Sequence, residues 1–183
     1  MGNKSASAYN LGVSLGLASY QSSVKQTGLA SAALAEGKSA ANALVAAGFL
    51  TSPVFDSLYN PPDVSHSHLE GVRALVGTTI RDHSGDAANV YTVALLIALA
   101  EGQTTSPEWN KSFTGPNDLA HRGLEQAQTV IRSFLSSIPF DSSMMTYALD
   151  NTIFLTDKDT AHSAVSRMRL AYEDTVRFST SLP

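Results

Sequence analysis

Apolar positions recur along this chain at helical rather than strand spacing. Val13, Leu17, Tyr20 and Val24 fall at i, i+4, i+7 and i+11, and Leu69, Val72, Val76 and Ile80 follow one another at steps of three and four, as do Val165, Met168, Tyr172 and Val176. Each set therefore lies on one stripe of an α-helix. No alternation of β-branched and aromatic residues is bounded by hairpin turns, so no sheet is expected. The pattern predicts an all-α bundle of about six main helices, over roughly 6–26, 38–52, 64–83, 87–104, 117–137 and 158–179. Gly28, Gly37, Pro53, Pro61, Pro62, Gly85, Pro107, Gly115, Pro116 and Pro139 fall between these segments or in their first turns, where helix breakers belong.

The same segments repeat. YNLGVSLGLASYQ, Tyr9 to Gln21, aligns with YTVALLIALAEGQ, Tyr91 to Gln103, at an offset of 82 (91 − 9). FLTSPVFDS from Phe49 aligns with FLSSIPFDS from Phe134 at an offset of 85 (134 − 49), with six of nine positions identical. Asp63 to Arg81 aligns with Asp159 to Arg177 at an offset of 96 (159 − 63), pairing His66 with His162, Arg73 with Arg169 and Arg81 with Arg177. Three ordered matches with slowly growing offsets are what a duplication followed by small insertions leaves behind. The chain thus reads as a single domain over 1–183 made of two three-helix halves, 6–83 and 87–179, related by a pseudo-two-fold. The growth of the offset falls around Ser143 to Thr156, where a short extra helix is expected. Phe49, Phe55, Phe134 and Phe140 are expected as buried equivalents at the end of each half's second helix.

Gly12 and Gly16, with Ala94 and Ala98 at the matched positions, place small residues four apart on one helical face. Glycine inside a helix costs about 1 kcal/mol relative to alanine, so a close helix–helix crossing must offset it. The first helices of the two halves are therefore expected to cross near the pseudo-two-fold.

Composition narrows the function. A chain of 183 residues is long enough to bury roughly 70% of its unfolded surface without a metal or disulfide staple. Its 12 Lys and Arg against 16 Asp and Glu, with no run of either sign, give no electrostatic footprint for nucleic acid. There is no cysteine, which excludes disulfides, thiolate catalysis and zinc ribbons. The longest strongly apolar run, Val90 to Ala100, is about half of what a membrane span needs, and the opening Met1-Gly2-Asn3-Lys4 begins no apolar leader. A soluble protein, cytoplasmic or periplasmic, is the expectation, with no transmembrane segment.

Candidate chemistry is sparse. Gly12-Val13-Ser14-Leu15-Gly16 matches the nucleophile elbow G-x-S-x-G, but that motif needs a strand before its serine, and here helical periodicity runs straight through it. Three Asp-x-x-His pairs, Asp63 with His66, Asp118 with His121 and Asp159 with His162, share helical faces and suit one metal ion, yet each Asp also stands where it would cap a helix. His66, Arg73 and Arg81, with His162, Arg169 and Arg177, form the more specific set. On an α-helix His66 and Arg73 lie about 20° apart, at the border of the apolar stripe. Facing one another across two halves, such residues would line a polar groove for an anionic ligand, since guanidinium groups present planar, bidentate donors. Alternatively each arginine pairs with a carboxylate of its own half. Trp109 and Phe113, in the segment after the fourth helix, suit a partner site or a lid.

With no catalytic set and no cofactor signature, the chain reads as a non-enzymatic helical binding protein for a small ligand or a protein partner, needing no cofactor. Two rivals stand beside this reading: a metal-binding protein or metal-dependent hydrolase built on the Asp-x-x-His pairs, and a structural subunit that assembles with copies of itself as a homo-oligomer.

Overall fold

The computed structural model describes residues 2–105 together with Ser166, Arg169, Leu170, Glu173 and Val176. The predicted helices 117–137 and 158–179 (apart from those five positions), the expected helix at Ser143 to Thr156, and Trp109, Phe113, Asp118, His121, Phe134, Phe140, Asp159, His162 and Arg177 lie outside the described residues.

Among the described residues all regular structure is helical: α1 Gly2–Ser23, α2 Thr27–Glu36, α3 Lys38–Ala46, α4 Ser52–Tyr59, α5 His66–His83 and α6 Gly85–Thr105. A single isolated bridge joins Tyr59 to Pro62, and the five positions from Ser166 to Val176 are helical as well. The all-α expectation is therefore met, but residues 6–83 are divided more finely than the three expected helices.

Two differences account for this. The segment 27–36, read as a break because of Gly28 and Gly37, is α2; its TGLASAALAE is rich in alanine, whose helix propensity is the highest of any residue. Gly28 has open space where a side chain would be, and Gly37, with ordinary right-handed φ and ψ, forms the junction from α2 to α3. Conversely, 38–52 is not one helix. α3 ends at Ala46, where Gly48 takes φ +80 and the amides of Gly48 and Phe49 close back onto Val45 O and Leu44 O. That pattern is the left-handed helix stop that glycine favours. Thr51 then caps α4, its Oγ1 accepting from the Val54 amide at 3.4 Å, with Pro53 in the first turn. Phe49 and Phe55 consequently flank the turn and are half-buried against the core rather than fully buried as expected.

The core runs the length of α1, which packs against α6 most extensively and also against α2, α3 and α5. Ala8, Leu11, Leu15 and Ala18 are all buried, and Val13 and Leu17 pack half-buried beside them, so α1 has no solvent face of the usual width. α5 behaves as its stripe predicts, with Leu69, Val72, Val76 and Ile80 all buried. Val176, matched in sequence to Ile80, also joins the core.

The crossing of α1 and α6 depends on its glycines. A Cβ on Gly12 would stand 2.5 Å from Tyr91 O and 2.9 Å from Ala94 Cβ, and one on Gly16 would stand 2.6 Å from Leu95 O and 2.8 Å from Ala98 Cβ. The two backbones meet along the small-residue faces that the sequence marks. The G-x-S-x-G string is thus mid-helix, with Ser14 buried and its Oγ donating to Ala33 O at 2.6 Å.

Candidate ligand-binding cleft

Ser14 serves the geometry of a cleft rather than chemistry. The last carbonyls of a helix lack partners inside it; Ser14 Oγ satisfies Ala33 O, and Tyr59 Oη donates to Leu34 O at 2.9 Å. Gly37 completes the joint, because a Cβ there would collide with Ser14 Oγ and Cβ. The α2–α3 corner is thereby drawn against α1. Beside it lies a cleft of about 370 Å³. One wall is α1, through Ser7, Tyr9, Asn10, Val13 and Ser14; another is the α2–α3 corner, through Glu36, Ser39, Ala40 and Ala43. Arg169 and Glu173, one helical turn apart, bring side chains from far along the chain to the same space.

Its electrostatics follow from pairing. Arg169 Nη1 donates to Glu101 Oε1 at 2.6 Å, an ion pair that is largely shielded from solvent. Burial alone disfavours the guanidinium charge, but Glu101 and the Tyr9 hydroxyl outweigh it and raise the Arg169 pKa. Tyr9 Oη donates to Glu173 Oε2 at 3.2 Å. Burial pushes the Tyr9 pKa up to about 12, despite the opposing contact with Arg169, so its hydroxyl is neutral and available as a donor at ordinary pH.

The sequence-marked residues separate into two places. His66 is exposed at the start of α5: its Nε2 is 3.0 Å from Glu70 Oε1, and its Nδ1 is 3.1 Å from Ser22 Oγ. Arg73 is half-buried, with Nη2 3.9 Å from Glu70 Oε1. Arg81 is exposed in the last turn of α5, where a cation complements the helix dipole. None of these three lines the cleft that Arg169 enters. Asp63 does not pair with His66. Its Oδ1 accepts from the Ser65 amide at 2.9 Å, which is the main reason its carboxyl titrates lower than usual, and His68 is its nearest imidazole at 3.9 Å. Among the described residues no three His, Asp or Glu side chains stand close enough to hold a metal ion.

Sequence reasoning missed Tyr9, Asn10, Glu36, Ser39 and Glu173. Glu173 has an available signal, since it stands four residues after Arg169 on the same predicted helix; Glu36 has none, because the segment between the predicted helices 6–26 and 38–52 reads as a break, and nothing marks Ser39 within the second of them. Among the described residues no helix is long and apolar enough to cross a membrane. Compared with protein-family models, with curated proteins and with solved structures, the chain matches none.

Proposed function

We propose that this protein is a non-enzymatic, internally duplicated helical binding protein, and that it takes a small polar ligand in the cleft between α1, α3 and the Arg169–Glu173 turn. The cleft itself carries the reading. Its volume is at the lower end for small-molecule sites, and it combines methyl-bearing walls at Val13, Ala40 and Ala43 with convergent hydroxyl, amide and carboxylate groups, as such sites do. Among the described residues nothing at the cleft assembles a nucleophile with a base and an orienting group, which favours binding over catalysis.

The duplication supports the reading from another side. Tyr9 meets the Arg169 side chain, and Tyr91, matched to Tyr9, donates to the backbone carbonyl of Arg73, matched to Arg169, so the pairing recurs at the level of residues though through different atoms. Reciprocal contacts of this kind are what a pseudo-two-fold between two halves would produce. In this arrangement the groove between the halves is the natural place for a ligand.

The test uses Ala43→Trp, which fills the cleft from an exposed helical position. A thermal-shift panel of small polar molecules should raise the melting temperature of the wild type by about 5 °C for a ligand at a hundredfold excess over its Kd. The variant should melt as the wild type does without ligand and show no shift with it. A full shift in the variant would place the ligand elsewhere and remove this reading.

A further inference from the structure

We infer that the cleft takes a neutral polyhydroxy ligand of monosaccharide size, because its own charges are already matched while its neutral polar groups are not; this rests on the cleft being the binding site. The sequence alone points elsewhere, since the arginines suggest an anion. In the folded chain Arg169 brings the cation of the lining, and Glu101, which does not itself line the space, meets that charge at 2.6 Å. Lys38, beside the lining on α3, turns over the Tyr59 ring at 5.9 Å. Glu173 is half-buried, accepts from the Tyr9 hydroxyl at 3.2 Å and takes part in a further interaction besides. Glu36 stands exposed at the end of α2, where water and salt screen its charge. A charged ligand would give up hydration here without gaining a shielded, uncommitted counter-charge.

The neutral lining groups are in the opposite condition. Ser7 and Asn10, one helical turn apart on α1, and Ser39 on α3 have no side-chain hydrogen bond among the described residues. The Ser14 proton, by contrast, is committed to Ala33 O. A serine hydroxyl and an asparagine carboxamide each supply both a donor and an acceptor. Their complement is a ligand whose groups also do both, and a hydroxyl does so from a single atom. The three residues stand on two walls, which suits several hydroxyls spread over one carbon frame, with the methyl groups of Val13, Ala40 and Ala43 against its C–H faces. At about 370 Å³ the space is at the small end for ligand sites, which suits one such frame rather than a chain of them.

The experiment is an NMR shift titration of the nitrogen-15-labelled full chain with glucose, galactose and mannose, each beside its 2-amino and its uronate form. At least one neutral sugar should move the amides of Ser39, Ala40 and Ala43, and its two charged forms should bind about tenfold more weakly or worse. Affinity for the neutral sugar should change less than about twofold between about 0.05 and 0.5 M salt, since no ion pair forms on binding. Asn10→Ala, at an exposed position, should melt as the wild type does and bind about tenfold more weakly, as expected for the loss of one or two neutral hydrogen bonds. Ala43→Trp should abolish binding. A charged form binding in the cleft as tightly as its parent, or an affinity unchanged in Asn10→Ala, overturns the neutral-ligand inference and leaves the cleft reading standing. So does a chain that binds none of these sugars while another molecule of the thermal-shift panel still loses its shift in Ala43→Trp. Sugar binding that survives Ala43→Trp, or no binding in either experiment, overturns both.

Discussion

Tyr9 and Tyr91 occupy matched positions in the sequence, yet their surroundings have gone separate ways. Tyr91 is enclosed: its hydroxyl donates to Arg73 O at 2.7 Å, and its ring lies against Gly77, where a Cβ would come within 3.3 Å. Glu173, aligned with Gly77 at the offset that pairs Arg169 with Arg73, meets Tyr9 with its carboxylate at the cleft. The neighbours differ in the same sense. Asn10 and Ser14 follow Tyr9 one and five positions on in the sequence, and Thr92 and Leu96 follow Tyr91 at the same spacing. The lesson is that a scaffold position needs no change of its own to become part of a site. Tyr91 packs where Gly77 leaves room for its ring, while Tyr9 faces a cleft that Ser14 and Glu173 also line.

This contrast depends on how closely α1 and α6 approach, so the strongest way to break it is to force them apart. Gly16→Ala and Gly12→Ala would each drive a methyl group into the α6 backbone, which cannot move aside as a flexible side chain would. A loss of at least about 3 kcal/mol is expected on denaturant unfolding of each, at the high end for overpacking. Ala94→Gly, on the opposite face of the same contact, removes a methyl group and collides with nothing. If the glycine variants lose less than about 1 kcal/mol, the helices are not in backbone contact and the comparison of the two tyrosines has no common frame.

Alkaline titration sharpens the contrast next. Burial raises the pKa of both tyrosines, to about 12 for Tyr9 and further still for the fully enclosed Tyr91. The folded protein therefore keeps its phenolic protons where the unfolded chain releases them, above a pKa of about 10. Stability from this source is complete below pH 10 and falls as pH rises, by up to about 1.4 kcal/mol per unit for Tyr9 until pH 12. Spectrophotometric titration at 295 nm should show Tyr9 ionising before Tyr91, and Tyr9→Phe should delete the earlier step. Ionisation of both near pH 10 without unfolding would contradict their burial.

The fold was more legible than the site, for a physical reason. The α5 stripe, the small-residue crossing of Gly12 and Gly16, and the helical character of Ser14 all follow from local spacing, which the sequence displays directly. α1 was read as a helix with a stripe through Val13 and Leu17, while its deepest residues are Leu11 and Leu15. A helix surrounded by others has no single apolar face to read. The α2–α3 corner is not legible locally, because Gly28 and Gly37 look like helix breaks, whereas Gly37 is required for close approach to Ser14 and not for a left-handed turn. Arg169 was marked by its match to Arg73, but its role depends on Glu101, which is 68 positions away in the chain, and no local pattern announces such a partner.

The two matched arginines provide the finest test. Arg73 reaches Glu70 only at 3.9 Å, and a long i, i+3 pair whose acid is exposed contributes little, so Arg73→Met should change stability by less than about 0.5 kcal/mol. Arg169 meets Glu101 at 2.6 Å in partial burial, with Tyr9 alongside. Arg169→Met preserves the aliphatic stem but removes the 2.6 Å guanidinium contact from a shielded carboxylate, a loss of about 2 kcal/mol by analogy with hydrogen bonds to charged groups. Replacing Glu101 by Gln in the same variant should recover part of that loss, because a shielded negative charge that has lost its arginine is removed. In the Arg73→Met background the corresponding Glu70→Gln change should recover nothing. Equal losses at the two arginines, or no recovery from Glu101→Gln, would mean that the ion pair at the cleft is no more than a surface contact, and that Arg169 keeps its charge available to a ligand after all.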